Sequence, residues 1–458
     1  MKRTNSLHLV NVRLPLKDET KLYELKAEEG VWLSIAEQTG TMEFHPAGLV
    51  PLSSVAPGGS PSQMIDAQGR ILLPGFVDMH MHLDKATSLR TVGNVTGTLG
   101  EAIQNYSAHV AGFSKDEIKR RIISTALQAL SHGTTHIRTH LDFHLRLGKD
   151  IAFRTMEAAL EARELLQDYV ELQLFPMCPY DELSGESLDA AEELLRLGMD
   201  GLGGAPHLGP EPEPAIKKLF ALAVKHGKFV DLHADESDDP ARRTVVTIAQ
   251  ETLRHEYQGR VVAGHLCSLS AMPPEEAAGI IALMAEARIG AVTLPAANMY
   301  LQGREDTGPF RRGVTRVKEL LGASVPLATA SDNVQDPFHP FGRADMLQIG
   351  LLTAYAAQLG SPAELRQLLR MMTETPAANM GLIGYGVAEG RPATFVITDA
   401  SSIHELFVGQ SPSRWVGVKG RFVHATASRT WSAGGIDHIR NTFDIIKKLK
   451  RDCGGDIR

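Results

Sequence analysis

The feature that most restricts this chain is a strict alternation, from about residue 68 to 375, of short β-rich runs with amphipathic helical segments. Eight runs read as strands: RILLPGFVDMHMH, TTHIRTHLDF, YVELQLFPMC, DGLGGAPH, KFVDLHAD, RVVAGHL, IGAVTLPAAN and SVPLATASDN. Between them, segments such as DEIKRRIISTALQAL, AFRTMEAALEARELL, AIKKLFALAVKHG and PEEAAGIIALMAEA carry apolar residues at helical spacing. Boundary residues agree: Ser187 ahead of LDAAEELL, Pro273-Pro274 ahead of EEAAGII, and Gly133 and Gly227 just past a helix. Strands joined through helices run in the same direction, so the sheet is expected to be parallel. Eight such units predict an α/β fold, a (β/α)8 TIM-like barrel. A doubly wound open sheet would carry a Gly-rich phosphate turn after its first strand, and this chain has none.

The two ends read differently. LHLVNVRLP, GVWLSIAEQ and QMIDAQGRIL, and later ATFVITDA and RWVGVKGRFVHA, are short β-like pieces set between turn residues. They predict one small β-sandwich built from both termini, residues 1–67 and 376–433, beside the barrel at 68–375. The last stretch, 434–458, has an amphipathic helical pattern with late basic residues. It is expected to cap the fold, to join the interface of a homo-oligomer, or to form a solvated terminal helix.

Composition narrows the partners. A length of 458 residues exceeds one small core, and 43% hydrophobic with 22% charged residues is ordinary for a globular protein. The net charge of −7 gives no basic footprint for nucleic acid. The amino-terminal residues lack the apolar core of a signal peptide, and no apolar run is long enough for a membrane span. Three scattered cysteines, Cys178, Cys267 and Cys453, fit a reducing, cytoplasmic setting and lack CxxC spacing.

In such a barrel the catalytic face is formed by the carboxyl ends of the strands, so the residues that terminate each strand are informative. The first strand ends in His80 and His82, which share a face because alternate side chains do. The fifth ends in His233, the sixth in His265 and the eighth in Asp332. Three of these imidazoles with the carboxylate, around an open position, suit one divalent metal that activates water. Glu236, three residues after His233, lies in the loop above and can carry protons to a substrate nitrogen. His136, His140 and His144 share a face of the second strand and are expected to play a supporting role rather than bind a second metal.

The chain resembles the amidohydrolase superfamily, in the branch of cytosine deaminase and N-isopropylammelide isopropylamidohydrolase. The motifs that carry the resemblance are LPGFVDMHMHLDK, THIRTHLD, LQLFPM, LHADESDD, GHLCSLS, NMYLQGR, RRGVTRVKELL and ASDNVQDPFHPFG. The resemblance implies that His80, His82, His233 and Asp332 hold the metal and that Glu236 moves protons between the attacking water and the leaving nitrogen. It implies that His265 lies beside the activated water and that Asp332 is ligand and proton acceptor at once. Binuclear relatives use a carboxylated lysine at the end of the fourth strand; DGLGGAPH has none, so a single ion is expected, zinc or iron.

Departures from cytosine deaminases bear on the substrate. Met177 stands where those enzymes carry a glutamine, Asn333 where they carry a second aspartate, and Phe338 where they carry tryptophan. A thioether cannot make the amide's hydrogen bonds, so cytosine is expected to be a poor substrate. Lys85, in HLDK, is expected to meet a substrate carbonyl or acidic group, or else to form a structural ion pair. The expected activity is hydrolysis of a C–N bond in a cyclic amidine or ring amide, such as a pyrimidine- or triazine-like nitrogen heterocycle. The rivals are an amidase or carbamate hydrolase acting outside a ring, and a non-catalytic metal-containing binding protein.

Overall fold

The computed structural model describes residues 6–39, 49–55, 64–178 and 185–428. The extension expected at 434–458 lies outside these residues. All eight expected barrel strands form: β1 (Phe76–Met81), β2 (Thr134–Asp142), β3 (Glu171–Met177), β4 (Gly201–Gly204), β5 (Phe229–Ala234), β6 (Val261–His265), β7 (Gly290–Thr293) and β8 (Leu327–Thr329). They are hydrogen-bonded in sequence order and parallel throughout. A parallel bridge between Met81 and Asp332 joins the last strand to the first and closes the (β/α)8 barrel.

The helices form where the apolar spacing predicts. Lys115–Ser131 buries Ile118, Ile122, Ala126, Ala129 and Leu130 along one face. Each large aliphatic chain buried this way contributes about 1.5–3 kcal/mol. Ser114 starts the helix by accepting the Glu117 N–H at 3.2 Å. Gly133 follows with φ +97, and a Cβ there would meet Val396 Cγ2 at 2.7 Å, so only glycine fits. Ser187 departs from its expected place ahead of a helix; Glu186–Leu197 takes it into the first turn. No helix among the described residues is long and apolar enough to cross a membrane.

The barrel interior and its outer shell are separate cores. Val77, Met79, Val262, Val292, Leu294, Ala328 and Ala330 fill the inside, joined by Ala377 and Met380. The segment Glu374–Asn379 sits under the amino ends of the strands, where Asn379 Nδ2 donates to the Pro326 carbonyl at 2.9 Å. β1 departs from strict alternation: its pairing with β2 slips between Asp78 and Met81. Met79 therefore packs inside the barrel while Met81 packs outside against the helices.

The small β-structure consists of two sheets. One is five-stranded, from Val31–Glu37, Asp18–Glu28, Ser6–Leu14, Met64–Asp66 and Leu49–Pro51 in spatial order. The other is four-stranded, from Arg421–Thr426, Arg414–Val418, Phe395–Thr398 and Leu72–Pro74. Leu9, Leu25, Trp32 and Ile65 from the first pack on Leu72, Phe395, Trp415 and Phe422 from the second, which makes a sandwich. Leu72–Pro74, expected inside the barrel unit, thus pairs in the sandwich, while Ala377 and Met380, expected in the sandwich, pack in the barrel.

Candidate active site at the barrel mouth

His80 and His82 leave the end of β1 with both rings turned to the mouth, 5.5 Å apart between centroids. His233 arrives from β5, its Nε2 3.2 Å from His80 Nε2 and 3.1 Å from His82 Nε2. Asp332, just past β8, brings Oδ1 to 3.4 Å from His82 Nε2 and 3.8 Å from His80 Nε2. Ligands about 2.1 Å from a tetrahedral ion lie roughly 3.4 Å from one another, so these four distances suit ligands of one ion, and His80, His82 and Asp332 are close enough together to share one. Asp332 Oδ1 and the Nδ1 atoms of the three histidines have no hydrogen-bond partner among the described residues. Buried polar atoms without partners cost stability. A divalent cation among the four residues removes that cost for Asp332 and fits the donor set.

The surroundings keep the donors in binding form. Burial holds His80 and His233 well below the ordinary imidazole value, with neighbouring histidines adding to the shift. Both rings are therefore neutral. Burial pushes Asp332 up, but the His82 ring and His265 outweigh it and leave the carboxyl below its usual range. Close packing requires glycine opposite: a Cβ on Gly264 of β6 would stand 3.0 Å from His80 Cε1.

Glu236 and His265 face the same space. Burial, reinforced by Asp332, holds Glu236 well above the ordinary carboxyl value. His265 Nδ1 lies 3.5 Å from Glu236 Oε1 and 3.0 Å from Asn298 Nδ2. The Asn298 amide donates to Nδ1 when the ring proton is on Nε2, which has no partner among the described residues. Burial lowers His265 to about 4, which keeps the ring neutral. His265 and Asp332 both leave their strands with positive φ, 67° and 62°. Non-glycine residues adopt that conformation only where the surroundings impose it. Asp235, between His233 and Glu236, instead accepts the Thr244 and Val245 N–H groups and caps the following helix.

The second group of histidines is spread along the barrel axis. His140 lies beneath the mouth, its ring 4.2 Å from that of His80. His136 is far below, 5.4 Å from Tyr385, and His144 stands at the rim, 3.3 Å from Asp142. Beside His140, Arg138 donates to Asp231 at 2.6 Å and to Gln173 at 2.8 Å, all inside the barrel.

A cavity of about 400 Å³ opens over the site and is lined by His82, His233, Glu236, His265 and Asp332. Lys85, Met177, Asn333 and Phe338 line it too, as do Leu99, Ile103, Leu145 and Leu208 farther out. Lys85 is tied to Asp142 at 2.7 Å, and the Asn333 amide donates to Asp336 at 2.7 Å. Asn298 and Asp142 went unnoticed in the sequence, although NMYLQGR and THLD contain them. Asp142 ends its strand, whereas Asn298 lies in the short helix Pro295–Leu301 that follows β7.

Comparison with known proteins gives the same picture. A pterin deaminase from Rhizobium rhizogenes is 34% identical over 379 residues, covering 81% of this chain and 85% of that protein. An N-isopropylammelide isopropyl amidohydrolase from Pseudomonas sp. is 28% identical over 376 residues, covering 80% of this chain and 89% of that one. The crystal structure of 5-methylcytosine deaminase from Klebsiella pneumoniae superposes with a TM-score of 0.84 at 27% identity, over 94% of this chain and all of that one. The amidohydrolase family matches residues 63–102 and 88–434. By that match, and with a His/Asp cluster able to hold a metal at the mouth of its barrel, the chain belongs to the amidohydrolase family, a hydrolase of carbon–nitrogen bonds other than peptide bonds.

Proposed function

We propose that the protein is a metal-dependent deaminase-type hydrolase that replaces a ring amine of a nitrogen heterocycle with oxygen. The observation that carries this reading is the convergence of His80, His82, His233 and Asp332 beside Glu236 on one cavity. One divalent ion, zinc or iron, held by those four residues supplies Lewis acidity and an activated water when bound. What supports one ion rather than two is the Arg138 guanidinium, 2.6 Å from Asp231, which repels a second cation near His140.

The protein groups then divide the proton work. Water adds to the ring carbon that bears the amine, and the Asp332 carboxylate oxygen turned away from the ion accepts a proton from it. Glu236 delivers a proton to the leaving nitrogen, and the proton taken up by Asp332 restores Glu236 as the amine departs. His265 Nε2–H faces the same space and hydrogen-bonds the oxygen as negative charge gathers on it. Lys85 meets a ring acceptor, while Met177 and Phe338 pack on the ring and Asn333 lies beside them. Leu99, Ile103, Leu145 and Leu208 line room beyond a single six-membered ring and favour an apolar extension on the substrate. The free buried thiols of Cys178 and Cys267 support a cytoplasmic setting.

The test is metal analysis together with ammonia and amine release over pyrimidines, triazines, pterins, creatinine-like rings and their N-alkylated analogues. One equivalent of metal and turnover of a ring amine are expected. Stoichiometric metal with no turnover across the panel points to a binding protein, and turnover of open-chain amides alone points to an amidase.

A further inference from the structure

Consecutive strand order puts β1 and β2 across the mouth from β5 and β6. Glu236 and His265 stand on one side, and Lys85 and Asp142 on the other, with both pairs lining the cavity. Lys85 Nζ donates to Asp142 Oδ1 at 2.7 Å, with side-chain exposures of 5% and 16%. The ammonium also lies 5.3 Å from the Tyr106 ring centre and 4.9 Å from that of Phe338, which fixes its place. The Asp142 backbone N–H donates to Asp84 at 3.0 Å, and His144 Nε2 stands 3.3 Å from its Oδ2.

Burial works to raise Asp142, but Lys85 and His144 outweigh it and hold the carboxyl below its usual range. Burial works to lower Lys85, and Asp142 and Asp84 outweigh that and raise it. The pair is therefore charged and self-neutralised. Lys85 has three N–H donors and uses one on Asp142, its single hydrogen-bond acceptor among the described residues. A carboxylate offers about four acceptor positions, so Asp142 can keep Lys85 and accept another donor. Because Asp142 already balances Lys85, this wall is no receptor for an anionic group. It presents a donor and an acceptor side by side.

We propose that Asp142 is a specificity-determining residue: it accepts an N–H of the substrate ring while Lys85 donates to the adjacent carbonyl oxygen. The substrate is then a neutral lactam-type heterocycle that turns its CO–NH edge to β1 and β2 and its leaving amine to Glu236. This rests on the deaminase-type reading above and narrows it. It also selects the carbonyl over the acidic group as the partner of Lys85.

The test is a matched series on the metal-loaded enzyme. It comprises an amino-lactam ring that releases ammonia, its N-methyl analogue lacking the N–H, and its analogue lacking the carbonyl oxygen. Wild type is expected to lose roughly 10- to 100-fold in kcat/KM with either deletion, as for a lost hydrogen bond to a buried charged group. Asp142→Asn is expected to compress the N-methyl penalty severalfold, because a neutral amide accepts more weakly than a carboxylate. The metal content stays as in wild type. Equal kcat/KM across the series in wild type overturns the inference, whether or not the variant folds. Release of amine from no ring at all overturns the proposed function, and this inference with it.

Discussion

The backbone N–H of Asp332 donates to the carbonyl of His80 at 2.9 Å. The hydrogen bond that closes the barrel thus joins two residues whose side chains meet at its mouth. Closure and site assembly are one event: a chain that fails to bring β8 to β1 also separates Asp332 from His80. Metal binding should therefore stabilise the closed barrel, since an ion that binds only the folded form shifts the equilibrium towards it. Chelator treatment is expected to lower the melting temperature of wild type, and to change that of Asp332→Ala much less.

Glu236 lies outside the converging donors, so Glu236→Gln should retain its metal. Turnover should fall by about 10²- to 10⁴-fold, the usual contribution of a general acid–base group. Metal loss in this variant would show that Glu236 is a ligand and that its role here is misread.

Asn298 Nδ2 lies 3.0 Å from His265 Nδ1, a contact that favours the ring proton on Nε2. Asn298→Ala frees the ring to take the other tautomer, which points a lone pair where Nε2–H now faces. A fall of roughly 10- to 100-fold in kcat with KM little changed is expected, as for residues that orient a catalytic histidine. An equal rise in KM instead would place Asn298 in substrate binding.

Met177 presents a flexible apolar thioether to the cavity. Wild type should process cytosine poorly. Met177→Gln should improve cytosine-like rings relative to the native substrate by roughly tenfold, the order of one well-placed hydrogen bond. An unchanged substrate profile with the fold intact would remove Met177 from recognition.

Asp78 is buried behind the site, and burial pushes its carboxyl from 3.8 up to about 7, partly offset by hydrogen bonding from Ser331. Between those values the folded protein keeps a proton that the unfolded chain has released. Stability from this group is therefore present at low pH and lost as pH rises towards about 7. In metal-stripped protein, Asp78→Asn should flatten the decline of melting temperature across that interval. A decline as steep as that of wild type would contradict the assignment.

The barrel was legible in the residues because each βα unit is a local pattern: period two, then period 3.6, then a boundary residue. Residues ending parallel strands converge at one face of a closed barrel. Strand order alone therefore brings His80, His82, His233, His265 and Asp332 together, and Glu236 follows His233 in the same loop. Local patterning does not encode what a side chain meets across the sheet. The slip between Asp78 and Met81 moves Met79 inside, where strict alternation would leave it on the side of Met81. The shared face of His136, His140 and His144 looked like a cluster, but the axial rise of a strand spreads the three from floor to rim. Lys85 could have been an open cation or a paired one, and its partner Asp142 stands 57 positions away in the chain. Leu72–Pro74 continues straight into the first barrel strand in sequence, yet its partner is Phe395–Thr398 in the sandwich. These outcomes depend on contacts between distant segments, which hydrophobic periodicity does not record and which packing of the closed barrel fixes.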